Sequence, residues 1–244
     1  MSVPDTVQWS AVLRGQAATG EVQATLEALC RAYRAPVLAY IRHRGYRADA
    51  EDLTQAFFTR FIEHGHQVGA DATQGRFRAF LLTAVKRFLL NTEEEGRTIK
   101  RGGKVRFESF EAGRVRLDNV ASDAETPERV FERAWAMTVL EAALGRLREE
   151  ALAAGKGEVF DQLRDFLLEA PDKADYAELA KALRLRRNTL AVAVHRLRQR
   201  LRELIRTELA ATAASGGDLE REVDELRAAL GPVMHEPPDA SPRA

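Results

Sequence analysis

The chain has 244 residues, 45% hydrophobic and 30% charged, and its 37 basic and 37 acidic residues give a formal net charge of +0. Alanine, leucine, arginine and glutamate dominate, and β-branched runs are scarce, so we predict a globular, all-α protein of one or two domains. Cys30 is the only cysteine, which excludes an internal disulfide and favours a reducing cytoplasm. No leader-like segment opens the chain and no apolar run approaches about 18 residues, so we expect a cytoplasmic protein that does not cross a membrane.

Residues 1–92 contain four predicted helices, which we expect to form a compact bundle. Apolar residues recur at helical spacing from residue 21 to 44, and Pro36 divides them into two helices, the second of which ends at Gly45. Asp49 is a suitable N-cap for a third helix, AEDLTQAFFTRFIE. The fourth helix, GRFRAFLLTAVKRFLLN, has a continuous apolar face.

Residues 93–126 are charged, contain glycine and lack a sustained period. We interpret them as an irregular linker, and its length favours two domains over one. Pro127 opens a second helical block, residues 127–210, which includes a helix over EVFDQLRDFLL. In residues 211–244, Asp218 can cap an acidic helix that Gly231 ends, before a tail. This helix either packs on the second domain, which we favour, or shields the arginine-rich helix described next.

The stretch NTLAVAVHRLRQRLRELIR combines an apolar stripe with a basic face. Its leucines and valines repeat by threes and fours at positions 190, 194, 197, 201 and 204, and arginines at 196, 198, 200, 202 and 206 avoid that stripe. Asn188 can cap this helix, and the preceding DYAELAKALRLRR forms another helix capped by Asp175. Helix, short turn and basic helix indicate a helix-turn-helix, whose second helix enters the major groove. The alternative is a surface helix with solvated arginines, but such faces usually mix both signs.

We predict DNA contacts along this second helix. Residues near its start are placed to reach base edges, namely Arg187, Asn188, Thr189, Val192 and Ala193, and Arg186 just before them is a further predicted DNA contact. Arg196, Arg198 and Arg200 lie further along and are placed to contact phosphates. His195 either contacts the DNA backbone or packs on the protein.

Several segments, in order, resemble bacterial sigma factors of the extracytoplasmic-function type. The segment YAELAKALRLRRNTLAVAVHRLRQRLREL is similar to their minus-35-binding domain, YRADAEDLTQAFFTRFIE to their polymerase-binding helix, and GRFRAFLLTAVKRFLLN to their minus-10-binding helix. The segments AEDLTQAFF, KRGG and TPERVFERAWA resemble a subgroup rich in DLTQ-FF sequences. The resemblance spans roughly residues 9 to 210 and keeps the order of both domains. It departs from the family at Arg87, Arg184, Asn188 and Ala191.

The resemblance implies a sigma factor that binds core RNA polymerase and promoter DNA. The residues aligned with the polymerase-binding helix are Asp49, Glu51, Asp52, Gln55 and Phe58. Acidic residues in a first helical turn also suit the helix dipole. The cations aligned with the minus-10 region, which would hold the backbone of a melted strand, are Arg76, Arg78, Lys86, Arg87, Lys100 and Arg101.

We find no catalytic motif and predict neither an enzyme, nor a cofactor, nor a metal site. Two other functions remain open: a helix-turn-helix regulator that acts without polymerase, and a helical adaptor that binds only protein. Thr54 follows acidic residues on the third helix and is a candidate phosphorylation site, although most surface threonines have no such role. A kinase or an anti-sigma protein is therefore a candidate further partner.

Overall fold

In a computed structural model, the chain is described over residues 19–64, 77–100, 125–168, 173–183, 186–210 and 216–231. Within these ranges it is almost entirely helical and contains no strand, which confirms the all-α prediction. The helices are α1 (Thr19–His43), α2 (Ala50–His64), α3 (Phe77–Lys100), α4 (Pro127–Ala153), α5 (Gly157–Leu163), α6 (Asp165–Leu168), α7 (Lys173–Ala182), α8 (Arg187–Ala210) and α9 (Gly216–Leu230). None of the helices described is long and apolar enough to span a membrane.

Contacts divide the described residues into two compact units, one up to Trp135 and the other from Ala136 onward. The boundary lies inside α4, whose first nine residues, 127–135, belong to the same unit as α1, α2 and α3. The sequence had assigned these residues to the second domain. The predicted division into two domains joined by a linker stays a prediction, but the start of α4 belongs with the first unit.

Helix α1 corrects the prediction of two helices separated at Pro36. It is one helix of 25 residues with Pro36 inside it. An interior proline removes one helical hydrogen bond and costs about 3 kcal/mol. The fully buried side chains of Val37 and Ile41 follow directly, and burying each contributes about 1.5 to 3 kcal/mol, so packing outweighs the break. The helix ends as predicted before Gly45, which has a φ of 103°.

Helix α3 continues nine residues beyond its predicted end at Asn91, to Lys100. The prediction of little helix in residues 93–126 is therefore wrong for 93–100, while 101–124 lie outside the described residues. The glutamates at 93–95 have good helix propensity. The Tyr46 hydroxyl also donates a hydrogen bond to the Glu93 carboxylate, which ties this extension to the loop after α1.

The core of the first unit is aromatic. Phe57 of α2 lies 5.6 Å from Phe88 of α3, and Phe77 lies 5.0 Å from Tyr33 of α1, both edge-on between ring centroids. Edge-to-face pairs of this kind contribute about 0.5 to 1.5 kcal/mol beyond the area they bury. Phe131 of α4 is also fully buried, which is why the start of α4 is part of this core.

The second unit begins within α4 and ends with α9. Helix α4 starts at Pro127, as predicted, and Thr126 accepts a hydrogen bond from the Arg129 amide at 3.2 Å. The segment EVFDQLRDFLL forms two short helices, α5 and α6, rather than one. Helix α9 ends before Gly231, as predicted, and Val223, Leu226 and Leu230 on one of its faces are buried.

Candidate nucleic-acid interface

Three helices of the second unit form a small apolar core that positions α8. Leu163 of α5, Ala180 of α7, and Leu190 and Val194 of α8 are buried together. These two α8 residues belong to the stripe that was predicted to face inward, and Leu201 and Leu204 further along it are buried as well. Because this stripe is held by the core, the opposite side of α8 must face outward.

A short connection separates α7 from α8. Helix α7 ends at Ala182 and α8 begins at Arg187, so four residues join them. The Arg186 carbonyl accepts the first helical hydrogen bond, from the Leu190 amide at 3.0 Å. Asn188 was predicted to cap the helix, but it lies one residue inside the first turn. This shift places Asn188 on the helical surface instead of at its end.

The start of α8 is exposed. Asn188, Val192 and Arg196 are spaced by four residues and therefore lie on one face. Val192 is 49% exposed, so its apolar side chain is available at this surface. The other exposed residues predicted to contact DNA here are Arg186, Arg187, Thr189 and His195.

Ala193 does not belong to this surface. It is partly buried and packs against the cluster that contains Leu163 and Leu190. The prediction that Ala193 reaches a base edge stays a prediction, although its position at the edge of the apolar stripe does not favour it.

Arg198 was predicted to contact phosphate, but it binds the backbone of its own unit. Its Nε and Nη2 donate hydrogen bonds to the Phe166 carbonyl oxygen at 3.2 and 2.6 Å. Phe166 lies in the four-residue helix α6, whose carbonyls have no helical partners at its C-terminal end. Arg198 thus joins α8 to α6 and is half-buried.

Arg200, also a predicted phosphate contact, binds two carboxylates. Its guanidinium donates to both oxygens of Glu150 in α4, at 2.9 and 2.8 Å, and to Glu203 at 2.7 Å. The hydrogen bond from Arg200 lowers the pKa of Glu150 despite a small opposing effect of burial. Further along, Arg206 is paired with Glu220 of α9 at 2.7 Å. Acidic partners therefore occupy Arg200 and Arg206, whereas the start of α8 is left outward-facing.

The cations predicted to hold the minus-10 strand are arranged differently. Arg78 is buried, with 3% of its side chain exposed, and is paired with Glu132 of α4 at 2.8 Å. Lys86 is paired with Glu128 of α4, also at 2.8 Å. Arg87 is half-buried. Lys100 is the last residue of α3, while Arg76 and Arg101 lie outside the described residues.

The acidic start of α2 is largely at the surface. Asp49, Asp52 and Gln55 are exposed, and Asp49 directly precedes the helix, as its predicted capping position requires. Glu51 is half-exposed and is paired with two arginines of α1, Arg34 at 2.6 Å and Arg42 at 3.1 Å. The predicted polymerase surface therefore includes one carboxylate that already binds the protein's own cations.

Two predictions on α2 fail because the side chains are inside. Phe58 is 8% exposed and its ring packs on Phe57, with centroids 5.0 Å apart, so it is a core residue. Thr54 has no exposed surface, and its hydroxyl donates a hydrogen bond to the Ala50 carbonyl at 2.6 Å. A kinase could not reach this hydroxyl in the folded protein, and we do not retain the phosphorylation hypothesis.

The partners of the basic residues were not predicted from the sequence. Glu128, Glu132 and Trp135 follow one another at helical spacings of four and three, which places them on one face of α4. That spacing was visible in TPERVFERAW, but nothing in the sequence indicated which surface it would meet. Glu150 was equally unmarked, since it lies 50 residues from Arg200.

Comparisons with protein-family models, with curated proteins and with solved structures gave no match. Among the residues that the structure describes, no three or more histidine, cysteine, aspartate or glutamate side chains are grouped so that they could hold a metal ion.

Proposed function

We propose that the protein is a bacterial sigma factor of the extracytoplasmic-function type, which binds core RNA polymerase and directs it to specific promoters. The observation that carries this proposal is the exposed, basic start of α8, held on a three-helix core directly after α7. A helix placed in this way can enter the major groove with its first residues at the base edges. The ordered resemblance of three segments to sigma factors favours this class over other DNA-binding proteins.

In the proposed minus-35 complex, the start of α8 carries the sequence readout. Arg187, Asn188 and Thr189 supply hydrogen-bonding groups for base edges, and the exposed Val192 suits contact with a thymine methyl group. Arg196, on the same face as Val192, holds a phosphate. Arg198 and Arg200 are left out of the DNA surface, because each joins α8 to another element of its unit.

The proposed polymerase surface is the start of α2. Asp49, Asp52 and Gln55 are exposed there, and the negative charge of the two aspartates suits a basic partner. Glu51 serves mainly to hold α1, through Arg34 and Arg42. Reversing its charge would disturb this contact, so Glu51 is a poor choice for testing polymerase binding.

The sharpest test of polymerase binding is Asp52→Arg, compared with Glu63→Arg at another exposed position of the same helix. We expect Asp52→Arg to weaken binding to core polymerase at least about tenfold, because it reverses a rim charge in a complementary interface. Glu63→Arg should bind like the wild type, and circular dichroism should show equal helix content in both variants. Equal core affinity of Asp52→Arg and the wild type would contradict the assigned surface.

Function itself is tested by run-off transcription with core polymerase over genomic fragments. A sigma factor directs start-site-specific transcripts and binds core polymerase. A regulator that acts without polymerase binds duplex DNA but not core, and a protein adaptor binds neither. Either of the last two results would overturn the proposal.

A further inference from the structure

The first turns of α4 cover a basic part of α3. Arg78 lies between Glu132, 2.8 Å from its Nη1, and the Trp135 ring, whose centroid is 3.6 Å from the guanidinium carbon. One guanidinium therefore meets a carboxylate and an aromatic face of the same helix at once. Such a stack is strongest when the cation is shielded from water, and here the Arg78 side chain is almost wholly buried.

A second pair repeats the arrangement two turns along α3. Lys86 lies eight residues after Arg78, and Glu128 lies four residues before Glu132, so the two helices pair in opposite directions. The Lys86 side chain is 16% exposed. Two acidic residues of α4 thus neutralise two cations of α3.

The charge of Glu128 also affects the pKa of a neighbouring group in the first unit. Burial, and secondarily the Glu128 carboxylate, raises the pKa of Tyr40 in α1 to about 12. Burial tends to raise the pKa of Glu128, but the hydrogen bond from Lys86 and the nearby charges of Lys86 and Arg44 lower it overall. Glu128 is therefore held as a carboxylate at neutral pH.

This inference rests on the proposed function, in which α3 holds a melted DNA strand. We propose that residues 127–135 are an autoinhibitory segment, which covers Arg78 and Lys86 in the free protein and must leave α3 before single-stranded DNA can bind there. The carboxylates of Glu128 and Glu132 occupy these cations as phosphates would. Only a small fraction of molecules then has α3 uncovered. The apparent affinity of the protein for single-stranded DNA is therefore lower than the intrinsic affinity of α3, in proportion to that fraction.

The test uses the full chain and a fluorescent single-stranded DNA of about 12 nucleotides and mixed sequence, a length within the range of single-strand binding sites. In Glu128→Gln/Glu132→Gln, both amides keep the side-chain shape but lose the charge that holds α3. We expect roughly fivefold tighter binding at low salt than in the wild type, because the uncovered fraction rises. Adding Lys86→Gln to this variant should remove most of the gain.

A matched control separates uncovering from the general loss of negative charge. Glu125→Gln/Glu141→Gln also removes two exposed carboxylates, and neither is paired with α3. The affinity of this control variant for single-stranded DNA should exceed that of the wild type by less than about twofold, because it removes only surface charge that salt screens. If the Glu128→Gln/Glu132→Gln variant binds no more tightly than this control, or more weakly than the wild type, the segment is not inhibitory.

A second readout follows α4 directly. The chain contains two tryptophans, so Trp9→Phe leaves Trp135 as the sole tryptophan reporter. Binding of the single strand should shift its emission to longer wavelength, because Trp135 leaves a buried stack on Arg78. Binding without a shift would overturn the inference. Wild-type protein that directs transcription but fails these tests would refute only the autoinhibition, whereas failure to bind core polymerase would refute the proposed function.

Discussion

Helices α3 and α8 both carry several cations opposite an apolar stripe, yet they hold them in different environments. On α3, Arg78 and Lys86 are covered by two glutamates and a tryptophan of α4. On α8, Arg187 and Arg196 face outward at the start of the helix. The number of basic residues on a helix therefore does not indicate whether they are available to a ligand.

The same contrast occurs within α8. Its first half presents an exposed polar surface, whereas Arg198, Arg200 and Arg206 each bind another element of the second unit. These contacts fix α8 against α6, α4 and α9. Part of the charge that made the helix look like a DNA-binding helix therefore contributes to its own packing, and the proposed DNA surface is narrower than the run of arginines suggests.

The largest expected effect comes from breaking the contact on α3. Arg78→Ala should lower the free energy of unfolding by about 3 to 5 kcal/mol, because it removes a buried guanidinium that contacts both the Glu132 carboxylate and the Trp135 ring. Urea denaturation measures the change. Arg196→Ala, at an exposed arginine of α8, should change the free energy of unfolding by less than about 0.5 kcal/mol. Equal losses of stability at the two positions would contradict the conclusion that the arginine of α3 is covered and that of α8 is exposed.

The next effect concerns the covered end of α8. Leu226 of α9 is fully buried, and Leu226→Ala should cost about 2 to 3 kcal/mol of stability through loss of apolar contact and the cavity left behind. Affinity for duplex DNA should stay within about twofold of the wild type below the unfolding transition, because α9 pairs with Arg206 and not with the start of α8. Markedly tighter binding to duplex DNA would instead support the alternative that α9 shields α8.

A smaller effect separates the arginines of α8 by their salt dependence. On a mixed-sequence duplex, Arg196→Ala should weaken binding roughly fivefold and flatten the slope of log affinity against log salt by about 0.9, the contribution of one phosphate. Arg200→Ala should leave the slope unchanged, because this arginine binds Glu150 and Glu203. Equal slopes for both variants would mean that the carboxylates release Arg200 to DNA.

The smallest effect is a pH dependence of the second unit. The pKa of Glu150 lies below its ordinary value of 4.5, so its contact with Arg200 stabilises the folded state above that pH and is lost as pH falls through the lowered pKa. Since the pair is largely exposed, the loss should be below about 1 kcal/mol. The melting temperatures of the wild type and Glu150→Gln should differ at neutral pH and converge in acid, below the lowered pKa of Glu150. A difference that persists unchanged in acid would contradict an ionic contact.

The elements with long periodic patterns were predictable from the sequence. The spacing of leucines and valines in α8 identified the buried stripe, and Gly45, Pro127 and Gly231 marked helix ends to within two residues of where they occur. These features depend on local geometry: glycine adopts a positive φ and proline suits a first helical turn. Predictions that needed more than local geometry were less successful, as Pro36 shows, because packing held α1 together across the proline.

The sequence by itself determined the helical class, the apolar faces and the presence of a basic helix after a short connection. Only the tertiary structure decided which polar residues are inside and which cations already have partners. Thr54 and Phe58 lie on a helix whose start is acidic and exposed, yet both are buried, because packing selects a face of the helix and not a segment of it. Arg200 and Glu150 are 50 residues apart, and Arg78 and Glu132 are 54 apart. Ion pairs form through space between elements brought together by apolar burial, so linear charge patterns cannot reveal them.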